Sequence, residues 1–426
     1  MLHSPLLRQS LAAARRPEFR FLWLANSLAN FARWFELIVL TWMVLGLTGS
    51  PWQLAVIGFW RNIPLLPIGP FGGLLGDLFD RRQLVIATQL AAGVVSLAIA
   101  ALLLAGALTY EHLIATSIVL GLIAAIDWPC RRVLIIDTVP REEVVNAAAL
   151  DSVSTMASRV FGPLLGGTLL ALLGASGCYV VLAVAYTAAG LAAIGLRPVP
   201  PHGRATLHRA ARDLGEGVHY ALRQPMIYAM LIATFLSNLL PLPFLQFLPV
   251  FARDVLQLDP VRYGTLGSAV GVGALVSATG LATTAQRWRP ELAFLTGALA
   301  MGASLIPFAL TSSYGIALLC LLAFGFGQGL YASLQAPVIL LRVDPALRGR
   351  LMGLLICAIG MWPVGMLLMG ALIDRLGAPL AVVASAGTYV VLLAAIGAYV
   401  RRLREREDRL AAAPAVREGD RRPLVR

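Results

Sequence analysis

Apolar residues in this chain gather into stretches about as long as a membrane span, and charged residues lie between them. A helix that crosses a bilayer needs ~20 mostly apolar residues. Lipid-facing barrel strands would alternate polar and apolar positions, whereas these runs are continuous. The pattern predicts an all-α membrane protein with twelve transmembrane helices in two six-helix bundles. The expected spans cover about residues 19–46, 53–76, 84–106, 112–135, 145–173, 177–196, 226–251, 262–285, 291–311, 314–340, 349–373 and 378–400.

The same pattern divides the chain into four parts. We expect a six-helix bundle over residues 1–200, a cytoplasmic linker over 201–224, a second bundle over 225–400 and a disordered cytoplasmic tail over 401–426. Within the linker, Leu207–Leu222 is amphipathic and predicts a surface helix, although a plain tether is an alternative reading.

The two bundles resemble each other at an offset of 203 residues. Small and apolar residues of the fifth span recur in the eleventh. The matched pairs are Gly162 and Gly365, Gly167 and Gly370, Leu169 and Leu372, Gly174 and Gly377, and Ala175 and Ala378. A duplicated six-span unit is typical of secondary transporters, which bind substrate between their halves.

Charge then sets the expected orientation. Formal net charge is +12, and all 34 basic residues are Arg. They concentrate at alternate junctions, so the positive-inside rule places both termini in the cytoplasm of a prokaryote, with the chain in its inner membrane. The excess positive charge suits anionic lipid headgroups, and we expect no nucleic-acid partner.

Enzyme chemistry has no support in the sequence. A chain without Lys has no phosphate-binding Gly-Lys loop, which argues against direct use of ATP. The four cysteines are scattered without metal-ligand spacing, and no nucleophile–base set stands out. We therefore expect neither catalysis nor a cofactor or metal.

Span one carries the sharpest group of candidate residues. Asn26, Asn30, Arg33 and Glu36 are spaced by four, three and three, which places them on one helical face. A charge deep in a span costs ~2.5–3.5 kcal/mol, so it should face a partner or a wet cavity. Our hypothesis is that Glu36 binds a proton or cation while Arg33 tunes its pKa. A structural bridge between Arg33 and Glu36 is the alternative.

Four further polar residues lie inside spans of the first half. Arg61 and Asn62 lie in span two, where Arg61 could pair with Glu36 across helices or bind an anionic substrate. Asp151 and Arg159 of span five are eight residues apart, roughly on one face, and could enter a cavity or join neighbouring helices.

The second half offers neutral polar residues instead. Asn238 and Gln246 lie in span seven, and Gln328, Tyr331 and Gln335 share a face of span ten. With aromatic residues nearby, such groups suit an amphiphilic small molecule better than a small ion.

Several motifs resemble those of one transporter family. Gly72–Arg82, which reads GGLLGDLFDRR, resembles the signature loop between helices two and three of the major facilitator superfamily. Arg159–Gly167 is similar to the fifth-helix glycine–proline motif of its antiporters. Pro129–Asn146 and Leu347–Met352 resemble the enterobactin-exporter-like branch, known as transmembrane secretion effectors.

This resemblance implies roles for two sets of residues. The loop after span two would form a gate, in which Asp77 stabilises the outward-facing state at a helix end of the other half. The gate residues would be Asp77, Asp80, Arg81 and Arg82. Gly162, Pro163, Gly166 and Gly167 would let helices pack closely and move.

Together these features lead us to expect a monomeric transporter that works by alternating access. It would export a small amphiphilic molecule, siderophore-like or drug-like, in exchange for protons. An importer or lipid flippase of the same fold is the alternative, and a membrane sensor or channel is a more distant one.

Overall fold

The computed structural model describes residues 13–66, 79–198, 208–284, 289–344 and 347–412, and these are helical, with no strand among them. Short helical turns run over Ala13–Arg15, over Arg141–Glu143 and from Leu242 to Val255. The longer helices are α1 (Pro17–Thr48), α2 (Pro51–Asn62), α3 (Arg81–Leu104), α4 (Tyr110–Asp137), α5 (Val144–Ala193), α6 (His208–Arg223), α7 (Pro225–Leu239), α8 (Pro260–Thr284), α9 (Pro290–Leu310), α10 (Tyr314–Leu340), α11 (Arg348–Ile359), α12 (Trp362–Leu376) and α13 (Ala378–Ala412).

Within these ranges, 10 helical segments are long and apolar enough to cross a membrane, compared with the twelve spans expected from sequence. Two places account for the difference. Helix α2 has only 12 residues, and residues 67–78, which hold the rest of the expected second span, lie outside the described ranges. Helix α5 has 50 residues and runs through two expected spans.

Helix α5 changes direction at Gly174. This residue has φ 67° and ψ −179°, a conformation that glycine adopts without the steric cost of a Cβ. Arg16 pairs with Glu143 just before α5, and Glu18 pairs with Arg197 just after it. Both ends of α5 therefore lie beside the start of α1, so its two arms form a hairpin that turns at Gly174.

The same backbone feature recurs at the offset of 203 residues. Gly377, between α12 and α13, has φ 78°, again in the region that favours glycine. The helix pair α12–α13 is thus turned in the same way as the two arms of α5.

Packing repeats at this offset as well. Gly162 of α5 lies against the backbone of Phe35 in α1, and a Cβ built on it would meet Phe35 N at 3.2 Å. Gly365 of α12 lies against the backbone of Asn238 in α7, and a Cβ built on Gly365 would lie 2.9 Å from the Asn238 carbonyl oxygen. Because 35 and 238 also differ by 203, each half packs its equivalent helices through equivalent positions.

The two ends of the helices differ in charge. We call the end that carries Arg16, Arg81, Arg197 and Arg342 the arginine-rich end, and the end with the turn at Gly174 the arginine-poor end. Below, the first half means residues 13–198 and the second half residues 225–412.

Close contacts between the halves involve small residues near the arginine-poor end. A Cβ on Gly167 would lie 2.2 Å from the carbonyl oxygen of Pro260, and one on Gly370 would lie 2.4 Å from Cβ of Ala55. Helix α5 thus meets α8, and α12 meets α2. Helices can approach this closely only where side chains are minimal.

Hydrogen bonds join the halves in the same region and near mid-span. They are Thr41 to Tyr263 at 2.8 Å, Arg253 to the Leu45 carbonyl at 3.1 Å, Gln246 to the Leu54 carbonyl at 3.4 Å, Ser268 to the Val160 carbonyl at 2.6 Å and Arg159 to Gln328 at 2.6 Å.

At the arginine-rich end, ion pairs hold the linker and the last helix to the second half. Glu216 of α6 lies 2.6 Å from Arg350 of α11, so the expected surface helix is present and docked. Glu291 of α9 pairs with Arg342 at 2.8 Å and with Arg404 of α13. Helix α13 continues to Ala412, and residues 413–426 of the expected tail lie outside the described ranges.

Candidate functional site

Glu36, near the middle of α1, is the centre of a buried ionic cluster. Its side chain is 0% exposed. Arg61 of α2 donates two hydrogen bonds to it, at 3.0 Å to Oε1 and 2.8 Å to Oε2. The Tyr186 hydroxyl of α5 donates a third, at 3.0 Å to Oε2. A carboxylate taken out of water needs this degree of pairing to remain charged.

The pairing differs from the intrahelical bridge considered from sequence. Arg33 makes no ion pair with Glu36, whose partner is Arg61, the cross-helix alternative. Residues three apart on a helix differ by ~60° in direction, because each turn takes 3.6 residues. Glu36 is turned toward α2 and the second arm of α5, whereas Arg33 is exposed in a recess of the first half.

That recess is an open pocket lined by helices of the first half. Arg33 enters it from α1, Arg61 from α2 and Tyr186 from α5. Gln89 of α3 also lines it, and its Oε1 is buried without a hydrogen-bond partner among the described residues. The remaining lining residues are Ala29, Asn30, Ala92, Leu120, Ile123, Ala124, Asp127, Trp128 and Arg131.

The part of the recess toward the arginine-rich end is held by a second ion pair. Asp127 and Arg131, both on α4, lie 2.6 Å apart, and Thr88 of α3 donates to Asp127 at 3.0 Å. Arg131 also donates to the Asn26 side chain at 3.2 Å, and Asn26 in turn donates to Asp151 at 2.9 Å. Asn26 and Asp151 therefore link α1, α4 and α5 and do not line this recess.

Arg159 of α5 faces a separate, smaller recess between the halves. It donates to the Gln328 side chain of α10 at 2.6 Å, and its guanidinium lies 5.1 Å from the centre of the Trp34 ring. Tyr263 and Gly267 of α8 line the same recess. Arg159 thus joins the two halves without a carboxylate partner in the described part of the chain.

In the second half, three expected polar residues form a neutral cluster. Tyr331 of α10 accepts hydrogen bonds from Asn238 of α7 at 3.0 Å and from Gln335 at 2.6 Å. Gln328, expected to share their face, contacts Arg159 instead, and Gln246 donates to a backbone carbonyl of α2.

Two of the remaining candidate amides make local bonds. Asn62 donates to the Gly58 carbonyl within α2 at 2.8 Å. Asn30 donates to Thr155 of α5 at 3.2 Å, while also lining the first recess.

The gate residues are only partly covered by the structure. Asp77 lies outside the described ranges. Asp80 caps α3 by accepting from the backbone N–H of Arg82 at 2.9 Å. Arg81 pairs with Asp137 at 3.1 Å, and Arg82 donates to the Ile194 carbonyl at 2.7 Å. These three contacts lie within the first half, at its arginine-rich end.

The expected packing residues divide between two interfaces. Gly162 and Gly166 lie against α1, inside the first half. Gly167 and Pro163 lie against α8 of the second half, where a Cβ on Gly264 would be 2.5 Å from the Pro163 carbonyl oxygen.

Sequence reasoning missed the tyrosines that complete these clusters. Tyr186 binds Glu36, and Tyr389 of α13 lies 2.7 Å from the Ser237 hydroxyl of α7. Tyr186 and Tyr389 are themselves 203 residues apart, and each bonds to the first helix of its half. The internal repeat was the available signal. No group of three His, Cys, Asp or Glu residues in the described ranges could hold a metal ion.

Comparison with known proteins adds a family. The family model described as "Transmembrane secretion effector" matches residues 8–419. The enterobactin exporter EntS of Shigella flexneri is 25% identical over 410 residues, covering 93% of this chain and 96% of the exporter. Its counterpart in Escherichia coli O1:K1 is 24% identical over 411 residues, with the same coverage.

Solved structures agree with the fold. A bacterial homologue of the human lysosomal transporter Spinster, inward-facing and unoccupied, aligns with TM-score 0.68 and 15% identity. The alignment covers 90% of this chain and 96% of that one. A POT family transporter in complex with 5-aminolevulinic acid aligns with TM-score 0.73 and 9% identity, covering 91% and 96%.

Proposed function

Because this chain belongs to the transmembrane secretion effector family of the major facilitator superfamily, and is thus a membrane transporter and not an enzyme, we propose that it exports a small amphiphilic molecule in exchange for protons. It would do so by alternating access, as a monomer in the inner membrane of a prokaryote. Its relatives are named as exporters of enterobactin, a siderophore, which supports export of a molecule of that kind.

We propose twelve spans in two six-helix bundles, with both termini in the cytoplasm. The hairpin at Gly174 supports counting α5 as two spans. The start of α2 lies at the arginine-poor end, since the Tyr110 hydroxyl donates to its Gln53 carbonyl, and Asp80 lies at the arginine-rich end. That geometry supports one further crossing between Pro51 and Asp80.

The buried Glu36 carboxylate is the observation that carries proton coupling. Among the acidic residues of the first half that the structure describes, Glu36 is the one without solvent exposure, and it is bound by Arg61 and Tyr186. Adding a proton would remove the charge that Arg61 neutralises and so weaken the pair. Unbalancing a buried ion pair costs ~3–5 kcal/mol, which is large enough to shift a conformational equilibrium.

The position of Arg61 would couple protonation of Glu36 to the contact between the two halves. Gly58, one helical turn before Arg61 on α2, lies against Met366 of α12 and Gln246 of the second half. A change at the Glu36–Arg61 pair would therefore alter how α2 packs where the halves meet.

The contacts between the halves indicate which conformation of the transport cycle this structure represents. They concentrate near the arginine-poor end, which the positive-inside rule places outside the cytoplasm. We infer that this is the inward-facing form, in keeping with the inward-facing Spinster homologue that it resembles. Outward opening would break the bonds of Thr41 to Tyr263 and of Arg253 to Leu45.

Substrate flux in sealed vesicles tests the proposal. Wild-type protein should accumulate a siderophore-like amphiphile in inside-out vesicles when the interior is acidic, and should stop when the pH gradient is collapsed. Glu36→Gln should lose the dependence on the gradient, because an amide cannot exchange the proton.

Glu111→Gln is the matched control, since Glu111 is an exposed acid at the start of α4. It should transport like wild type. Gradient-independent transport by the wild type, or an unchanged gradient dependence in Glu36→Gln, would contradict the proposal. Non-saturable flux would indicate a channel.

A further inference from the structure

Two arginines in the interior face cavities without a carboxylate partner. Arg61 is neutralised by Glu36, and Arg131 by Asp127. Arg33 makes no hydrogen bond or ion pair with any residue in the described ranges, and Arg159 bonds only to a neutral amide beside an indole ring. From this arrangement we propose that the transported molecule is an anion, bound through Arg33 and Arg159.

The charge balance of the first recess supports an anionic ligand. Its lining includes the cations Arg33, Arg61 and Arg131 and the anion Asp127, with Glu36 directly behind Arg61. Two ion pairs account for four of these five charges. One positive charge, on Arg33, remains in a space enclosed by apolar helices. A guanidinium within a membrane span is costly unless something negative or wet meets it, and a cavity-facing Arg is suited to bind carboxylate, sulfonate or phenolate groups.

Arg159, at the interface between the halves, also lacks a carboxylate partner among the described residues. Its guanidinium is held by Gln328 on one side and by the face of Trp34 on the other. Trp34 directly follows Arg33 in α1, so the two recesses are neighbours. The oxygen that Arg159 now contacts belongs to an amide, which an anionic group of the ligand can replace with a charge-assisted bond.

The surrounding groups fit the rest of such a molecule. Trp128 and Leu120 line the first recess, and Tyr263, Leu245 and Leu248 line the second. Gln89 adds a buried amide whose oxygen lacks a partner in the described part of the chain. An aromatic anion with a hydroxyl substituent would satisfy both the arginines and this oxygen.

This inference rests on the proposed transport function and adds the charge of the substrate. It can be tested by binding with three probes that share one ring system: 2-naphthalenesulfonate, neutral 2-naphthalenemethanol and cationic 2-naphthalenemethylammonium. The full chain is placed in phosphatidylcholine nanodiscs, and equilibrium dialysis against empty nanodiscs gives each dissociation constant.

Wild-type protein should bind the sulfonate about a hundredfold more tightly than the alcohol, and the ammonium least, because the charge-assisted bonds to Arg33 and to Arg159 each contribute about tenfold in affinity. Arg33→Gln and Arg159→Gln should each lose about tenfold for the sulfonate and leave the alcohol unchanged. Arg33→Lys, which keeps the charge but not the planar donor fork, should fall between.

Arg197→Gln is the control for the change in net charge. Arg197 is an exposed arginine of the first half, with its side chain 85% exposed, and this variant should bind all three probes like wild type. Equal binding of the three probes by the wild type, absent binding included, would overturn the proposal. A preference for the ammonium would also overturn it, as would a sulfonate affinity that is unchanged in Arg33→Gln and Arg159→Gln.

Flux measurements separate this inference from the proposed export. If a neutral or cationic probe is carried with a Glu36-dependent gradient requirement, export stands and the anion site is wrong. If the sulfonate binds through Arg33 but no pH gradient moves it, the anion site stands and proton-coupled export is wrong.

Discussion

At the scale of single residues, Glu36 shows how a buried acid can be both stable and poised to change. Two nitrogens of Arg61 and the Tyr186 hydroxyl contact its two oxygens, and no solvent reaches it. Every hydrogen bond it accepts favours the charged form. The same bonds weaken together when a proton arrives, which gives the proton a structural effect.

Removing one partner of this pair should be far worse than removing both. Arg61→Met leaves Glu36 buried without its counter-charge, and we expect it to lower the free energy of unfolding by ~3–5 kcal/mol. The double variant Glu36→Leu/Arg61→Met replaces the pair by apolar side chains and should recover most of that loss. Thermal unfolding of the purified protein in lipid measures both, and a double variant less stable than Arg61→Met would contradict the ion-pair interpretation.

The two repeat-related tyrosines provide a graded comparison. Tyr186→Phe removes a hydrogen bond to a carboxylate, which contributes ~1.5–3 kcal/mol, whereas Tyr389→Phe removes a bond between neutral hydroxyls, which contributes ~0.5–1.5 kcal/mol. Unfolding of the two variants should therefore show a larger loss for Tyr186→Phe. Equal losses would indicate that the Glu36 cluster is not charged.

The sequence located the polar residues inside α1 but left two pairings open for Glu36, one with Arg33 and one with Arg61. Asn26, Arg33 and Glu36 were recognised because polar groups inside an apolar span need a reason to be there. Spacing allows Glu36 to meet Arg33, yet the same residue can meet Arg61 across helices, and only packing decides between them. Tyr186 was missed since one tyrosine in an apolar span carries no such signal.

At the scale of helices, glycine positions decide which helices meet. The turn at Gly174 and the close approach of Gly167 to Pro260 depend on the absence of a side chain. The repeat at 203 residues made these positions visible in sequence. The last part of the expected second span, residues 67–78, lies outside the described ranges.

A side chain at the closest contact between halves should force them apart. In Gly167→Ala the new Cβ would lie 2.2 Å from the Pro260 carbonyl oxygen, so the arginine-poor end should open more often. We expect faster labelling of a cysteine placed at Thr265 by a membrane-impermeant maleimide. Gly387→Ala, where a Cβ meets nothing within 4 Å, is the control and should label like the parent. An unchanged rate in Gly167→Ala would show that this contact does not close the interface.

At the scale of the whole molecule, the two halves of the chain meet through contacts of α5 with α8 and of α2 with α12. Glu36 and Arg61 lie in the first half, but Arg61 is one helical turn from Gly58, the residue of α2 that contacts the second half. In the proposed transport cycle, the ionised pair favours the closed arginine-poor end. Because protonation removes the charge of Glu36, the stabilisation that the ionised pair provides is lost when Glu36 takes up a proton.

The most direct test of this coupling is the distance across the arginine-poor end as a function of pH. Spin labels at Leu47 of α1 and Val261 of α8, both exposed, would report it by pulsed electron paramagnetic resonance in a cysteine-free background. We predict a short distance at pH 8, a growing population of longer distances on acidification, and long distances at every pH in Glu36→Gln. A distance distribution that is the same at all pH values, or a Glu36→Gln protein that still responds to pH as the wild type does, would contradict it.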